Sequence, residues 1–352
     1  MRVNVLSTHL APSKSPEIHS LIELSVRLGR DPLLVQASTG NTSLKIDGTL
    51  WIKASGKWLA GAAQEEMFVP VNLAACLNAF EHGEPLPPYE GLSQRLQPSI
   101  ETFMHAVLPH RAVIHVHSVN TIAWAVRRDA PLQLSERLAG LRWQWIPYVP
   151  SGRALAQDIE IAALPCPDAD VFILGNHGLV VCGEDCATAE ALLLEVERRL
   201  ALEPLLGPKP KIRFLQQVQR LSEWRLPETE ALHTLATDSV CRRIAKGGVL
   251  FPCQAVFLGR NLPIVPCSQP ISDVRSRMNP AREAVPFLIV EGCGVLIRHD
   301  ISAAEYAILN GFAEVVRRID QTTFIRYLSD LETRDAVRGG ASYKTCFVSR
   351  SA

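Results

Sequence analysis

The segment Arg111-Ala112-Val113-Ile114-His115-Val116-His117 constrains the fold more than any other stretch of the 352 residues. It reads as a strand, and the two-residue period of a strand turns His115 and His117 to the same side at its carboxyl end. Two neutral imidazoles side by side suit a divalent transition metal; a pair of hydrogen-bonded core histidines is the alternative. A second buried strand, residues 170–175, delivers Asn176-His177-Gly178 at its own carboxyl end. Three histidines with an open fourth position describe a catalytic zinc site better than a structural one, which would close the tetrahedron with a fourth protein ligand.

Around these strands the apolar pattern alternates between helical and extended periods, the mark of an α/β chain. Residues 15–28 read as an opening helix stopped by Gly29 and Pro32, and Asp47-Gly48 joins residues 44–46 to 50–53 as a hairpin. Residues 73–80, 100–108 and 120–126 read as helices, 143–149 and 171–174 as strands, and 187–202 as a long amphipathic helix. Three prolines and a glycine between Glu203 and Pro210 mark a boundary, dividing the chain into residues 1–205 and a smaller α/β unit, 206–352. The second unit contains Phe287 to Ile297 followed by a helical stretch from Ala303. That order mirrors Phe172 to Val181 followed by Ala187, with Cys293 standing where His177 would be. A degenerate repeat and a chance likeness between two ordinary β-turn-β-α units both fit this pattern.

Composition narrows the function. Thirty-six basic and thirty-six acidic residues cancel, so overall charge recommends neither nucleic acid nor an anionic membrane as partner. Residues 1–14 lack the basic start and apolar core of a secretory signal, and no apolar run approaches a membrane span, so a cytoplasmic location is expected. Nine scattered cysteines form no dense disulfide framework and are expected to be reduced. Cys182 and Cys186 fit neither a zinc knuckle nor a thioredoxin pair and are expected simply to be buried.

Pro98-Ser99-Ile100-Glu101, the helix-like Thr102 to Leu108 and Pro109 to Ser118, including the His-x-His, together resemble the signature of the class II aldolase/adducin family. Gly40-Asn41-Thr42-Ser43, Lys53-Ala54-Ser55-Gly56 and Asn176-His177-Gly178-Leu179 match three further stations in the right order, over about residues 16–202. Within the family the chain is most similar to the aldolase part of bifunctional rhamnulose-phosphate aldolase/alcohol dehydrogenase proteins. Its last third resembles the segment after that part, and no dehydrogenase half is found in these residues. The resemblance implies a three-layer α/β/α domain with a largely antiparallel central sheet, and a homo-oligomer, expected to be a tetramer.

It also implies roles. His115, His117 and His177 would hold Zn2+ or another divalent transition metal, which as a Lewis acid stabilises the enediolate left when a carbon–carbon bond breaks, without a lysine Schiff base. Glu101 would be the acid/base. Since a nearby dication pulls a carboxylate acidic, that role needs partial burial or displacement from the metal; otherwise Glu101 would be a first-turn residue facing the helix macrodipole. Asn41, Thr42, Ser43, Ser55, Gly56 and Ser99 would bind the substrate's distal phosphate or other anion.

The sequence departs from the family twice. Many phosphate-using relatives carry two serines before the glutamate, whereas this chain has Ser99-Ile100. Lys53 would compensate as a point charge, or is an exposed strand residue. The tyrosine that small sugar-phosphate aldolases use as proton donor has no counterpart between Pro131 and Leu141, where Ser135, Glu136 and Arg137 stand.

The expected activity is therefore a metal-dependent lyase cleaving a ketose or ketose phosphate by retro-aldol chemistry. The alternatives are a decarboxylase of a 3-oxo sugar acid, a sugar-phosphate epimerase and a non-catalytic adducin-like binding module. Retention of all three histidines and Glu101 argues against the last. The C-terminal unit is expected to shape substrate access while supplying no metal ligand.

Overall fold

The computed structural model describes residues 15–89, 96–219, 223–267 and 286–348. The segment read for a secretory signal, residues 1–14, lies outside the described residues. Among those described, no helix is long and apolar enough to cross a membrane.

The first unit carries β1 (Asn41–Ile46), β2 (Thr49–Lys53), β3 (Phe68–Asn72), β4 (Ala112–Val116), β5 (Trp143–Ile146), β6 (Val171–Leu174) and β7 (Gly178–Gly183). They form one sheet in the order β3-β2-β1-β4-β7-β6-β5. Only β5 and β6 run parallel; every other neighbouring pair is antiparallel. Asp47 and Gly48 both take positive φ, 47° and 76°, as a two-residue turn matched to strand twist requires.

Both faces of the sheet are covered, which is why its central strands are apolar at successive positions. Ile114, Val116, Val171, Ile173, Leu179 and Val181 pack in one core with residues from the helices Pro16–Arg30 and Cys186–Leu200. The alternate residues Val113, Phe172, Leu174, Val180 and Cys182 pack in another with the helices Leu73–Glu81, Thr102–Val107 and Arg153–Ala163. These are the three layers expected. Cys182 and Cys186 are buried in opposite cores, so their spacing reflects burial alone.

The expected strand over 143–149 is shorter. Pro147 has no N–H to donate to a ladder, and after Ile146 the chain leaves the sheet as a loop that carries Tyr148 and Ser151.

A second sheet follows, formed by β8 (Trp224–Arg225), β9 (Ile264–Val265), β10 (Phe287–Val290) and β11 (Gly294–Arg298) in the order β8-β11-β10-β9. β9 is parallel to β10, β10 antiparallel to β11, and β11 antiparallel to β8. The strands β5, β6, β7 and β4 have the same order and the same pairing senses. Each β-turn-β unit also runs into a helix, Cys186–Leu200 in one and Ala303–Val316 in the other. The likeness read from one segment thus extends to four strands.

The reduced state expected for the cysteines fails at one pair. Cys267 and Cys293 form a disulfide, with Cα atoms 6.6 Å apart. They follow the neighbouring parallel strands β9 and β10, whose ends lie within disulfide reach; a separation of 26 residues hid this from the spacing. Where the first unit has His177, the second has this cross-link.

The two units share a core. Val119, Ile122, Ala123 and Val126 of the first pack with Phe251, Phe257, Phe312 and Val316 of the second. The helix Val119–Ala125, buried along its whole length, serves both.

Candidate metal centre

His115 lies near the carboxyl end of β4, and His117 just beyond it. Two glycines let other backbones close on this strand: a Cβ at Gly178 would lie 2.5 Å from Val116 O, and one at Gly40 2.7 Å from His115 O. Gly178 opens β7, so the tight β6–β7 turn brings His177 against the pair. The residue before it, Asn176, takes φ of 52°, a left-handed conformation that asparagine tolerates better than most.

The three rings form a near-equilateral triangle with centroids 4.9–5.0 Å apart, and one nitrogen from each lies within 4.8 Å of the others. All three residues are buried. His115 Nδ1 donates to Leu179 O at 3.0 Å, which leaves Nε2 as the nitrogen available to a ligand. That Nε2 is buried and makes no hydrogen bond. Burial lowers the pKa of His177 to about 4 and, with the neighbouring imidazoles of His115 and His177, holds His117 well below its usual value. An orphaned, buried Nε2 beside two further imidazoles suits a divalent transition metal, which binds a deprotonated ring nitrogen.

Glu101 sits at the amino-terminal boundary of the helix Thr102–Val107 but makes no side-chain cap. Its Oε2 accepts from Asn41 Nδ2 at 2.8 Å and its Oε1 from Ser151 Oγ at 3.0 Å. The same two oxygens lie 3.5 Å from His115 Nε2 and His177 Nε2 respectively. Burial alone would raise its pKa, but the His115 and His177 imidazoles and the Asn41 amide outweigh it and hold the carboxyl well below the usual range. The carboxylate thus faces the imidazoles rather than the helix axis.

Asn41 is fixed in turn. His105 Nε2 donates to Asn41 Oδ1, and Ser43 Oγ donates to His105 Nδ1 at 2.7 Å. Burial lowers the His105 pKa to about 3, so the ring stays neutral and this arrangement persists. Lys53 is buried, not exposed on its strand: it is 2% accessible, and Nζ donates to Ser38 O at 2.9 Å. Burial lowers its pKa to about 7, against the opposing pull of Glu101.

Asn41, Lys53, Ser55, Ser99, Glu101, His117 and His177 line one cleft. It encloses about 790 Å³ counting open solvent at its mouth. Three of the expected anion-binding residues are not brought to its wall. Thr42 is hydrogen-bonded to Ser25 at 2.7 Å on the opposite face of β1, and Ser43 is engaged by His105. Gly56 lies beyond Ser55 in the turn and is not among the lining residues.

Other parts of the wall escaped the sequence. Tyr148 and Ser151 come from the loop after β5, while Pro252, Cys253, Val256, Phe257 and Asp335 come from the second unit. Cys253 Sγ is 3.6 Å from His117 Nδ1, and burial pushes its thiol up to about 12, with the Glu101 charge adding. The Tyr148 hydroxyl is buried without a hydrogen-bond partner, and burial raises its pKa.

The chain matches the class II aldolase and adducin N-terminal domain over residues 20–203, just over half its length. It belongs to that family. Among curated proteins, an uncharacterised oxidoreductase of Bacillus subtilis (strain 168), YuxG, is 29% identical over 189 residues, which cover 49% of this chain and 27% of that protein. The 3-oxo-tetronate 4-phosphate decarboxylase of Escherichia coli (strain K12) is 33% identical over 135 residues, 34% of this chain and 60% of the relative. The chain thus spans less than two thirds of either. Among solved structures, the N-terminal class II aldolase domain of a conserved Thermoplasma acidophilum protein has a TM-score of 0.44 at 22% identity. It covers 57% of this chain and 97% of the other. Members of this family are mostly metal-dependent enzymes, and the three histidines form a candidate metal site in this class II aldolase chain.

Proposed function

We propose that this protein is a metal-dependent carbon–carbon lyase that cleaves a ketose or ketose phosphate by retro-aldol chemistry. The observation that carries the reading is the convergence of three buried imidazoles with the Glu101 carboxylate, 3.5 Å from two of them, where His117, His177 and Glu101 line one cleft. His115, His117 and His177 would hold the metal, zinc in our assignment. When bound, it supplies positive charge to the oxygens of the fragment that keeps the bonding electron pair.

The protein's own groups do the rest. Glu101, ionised at neutral pH, moves a proton between the reacting atoms, and Asn41 and Ser151 fix its direction by holding one oxygen each. Ser55, Ser99, Asn41 and Lys53 bind the anionic end of the substrate, Lys53 taking the place of the second serine. Homo-oligomeric assembly belongs to the same proposal and is read by light scattering.

Decarboxylation of a 3-oxo sugar acid is the second reading, favoured by the 33% identity to a decarboxylase of a phosphorylated 3-oxo acid. It uses the same charge stabilisation but expels carbon dioxide instead of an aldehyde. Purified protein tested on ketoses, ketose phosphates and 3-oxo acids, with aldehyde and carbon dioxide measured together, separates the two. Aldehyde release is expected; carbon dioxide alone supports the second reading, and neither product from any substrate contradicts both.

Lys53 gives a pH prediction. With a folded pKa of about 7, its positive charge is lost as pH rises through neutrality, so affinity for an anionic substrate is expected to fall above pH 7. Unfolded lysine keeps its proton to about 10.5, and between these values the unfolded chain binds more protons, so stability rises with pH. Lys53→Met is expected to flatten both profiles, followed as KM and as the unfolding midpoint. A KM profile unchanged by that substitution removes Lys53 from the anion site.

A further inference from the structure

Asn176 has one acceptor and two donor hydrogens on its side chain, and it commits them to the second unit. Nδ2 donates to Leu250 O at 2.8 Å and to Arg326 O at 2.7 Å, while Oδ1 accepts from Arg326 Nη1 at 3.0 Å. Its backbone is left-handed, and its carbonyl carbon is bonded directly to the nitrogen of His177. Rotation of Asn176 toward an ordinary negative φ would swing that peptide and re-aim the His177 imidazole. What opposes this rotation is the set of three bonds to residues 250 and 326.

Arg326 is itself held from several sides. Its N–H donates to Val126 O at 2.8 Å, Nη2 bonds Glu332 Oε1 at 2.5 Å, and its guanidinium lies 5.5 Å from the ring centre of Tyr148 in the cleft wall. A second imidazole is touched from the same unit, through the contact of Cys253 with His117 Nδ1. His115, by contrast, is oriented by Leu179 within the first unit.

We propose that Arg326 and Asn176 form a clamp through which the C-terminal unit aims His177, so that the affinity and geometry of a metal centre built from the first unit are set by a residue of the second. Both are positioning residues. The inference rests on reading the three histidines as ligands. Partners that orient a ligand typically change metal affinity ten- to a hundredfold when removed.

The test uses full-length protein with Zn2+ affinity measured by chelator competition, the visible spectrum of the Co2+-loaded protein, and the unfolding midpoint of the metal-free protein. Arg326→Ala is expected to weaken Zn2+ binding about ten- to a hundredfold and to shift the Co2+ bands. Arg326→Lys, which can still place one donor at Oδ1, is expected to restore part of both. Asn176→Gly adopts positive φ freely but loses all three bonds, so it keeps the backbone conformation while removing the clamp. It is expected to weaken Zn2+ binding at least as much as Arg326→Ala, which removes only the bond to Oδ1, and the double variant is expected to add little to Asn176→Gly. If Arg326→Ala fails to fold, Asn176→Gly and Arg326→Lys carry the test. Wild-type affinity and Co2+ spectrum in variants that fold overturn the clamp. A wild-type protein that binds no Zn2+, or a His117→Ala variant that binds it normally, overturns the ligand reading beneath it.

Discussion

Glu101→Gln is expected to keep the metal and to lose turnover by about a hundredfold or more. Glutamine retains the size of the side chain and can still engage Asn41 and Ser151, but it cannot take a proton. Glu101 makes no helix cap, so the substitution costs little at the helix start; a residue that merely faced the macrodipole would cost under about 1 kcal/mol and leave turnover intact. Metal content and rate on the same preparation separate the readings. Normal metal with near-normal turnover would move the base elsewhere in the cleft, with Asp335 the next carboxylate in its wall.

In His117→Ala the metal is expected to fall from about one ion per chain to trace. Two imidazoles would remain, and with His115 held by Leu179 and His177 by the turn geometry, neither can move to replace the third. His117 lies just past the end of β4, outside the ladder, so the sheet should survive the change. Elemental analysis beside circular dichroism checks this: equal metal in both proteins sinks the assignment, and a folded variant without metal supports it.

The three-histidine cluster was legible because its parts are local. Strand alternation puts His115 and His117 on one face whatever surrounds them, and Asn176-His177-Gly178 ends a recognisable strand. The placement of Glu101 beside the histidines was legible only through the motif around it, since nothing in Ser99-Ile100-Glu101 distinguishes a residue of such a cluster from a helix start. His105 looked like one more residue of a buried helix, although its polarity among Phe103, Met104 and Ala106 was a signal.

What the sequence concealed lies at long range. Arg326 is 150 residues from Asn176 and Cys253 is 136 from His117, and no local period links such positions. The edge strand β3 was masked by Pro70, which an edge tolerates. Of the two readings of Lys53, anion-binding charge or exposed strand residue, exposure fails because alternation does not reveal that a loop, here Ser38, closes over the strand end.

In the proposed reaction, carbon–carbon cleavage depends on one metal held by His115, His117 and His177. Its most direct test is turnover on the best substrate measured against zinc occupancy, as chelated full-length protein is reloaded stepwise. Activity should be absent in the chelated protein and rise in proportion to zinc up to about one ion per chain. Full activity in metal-free protein, or zinc binding that restores none, would show that cleavage does not depend on a metal at these histidines.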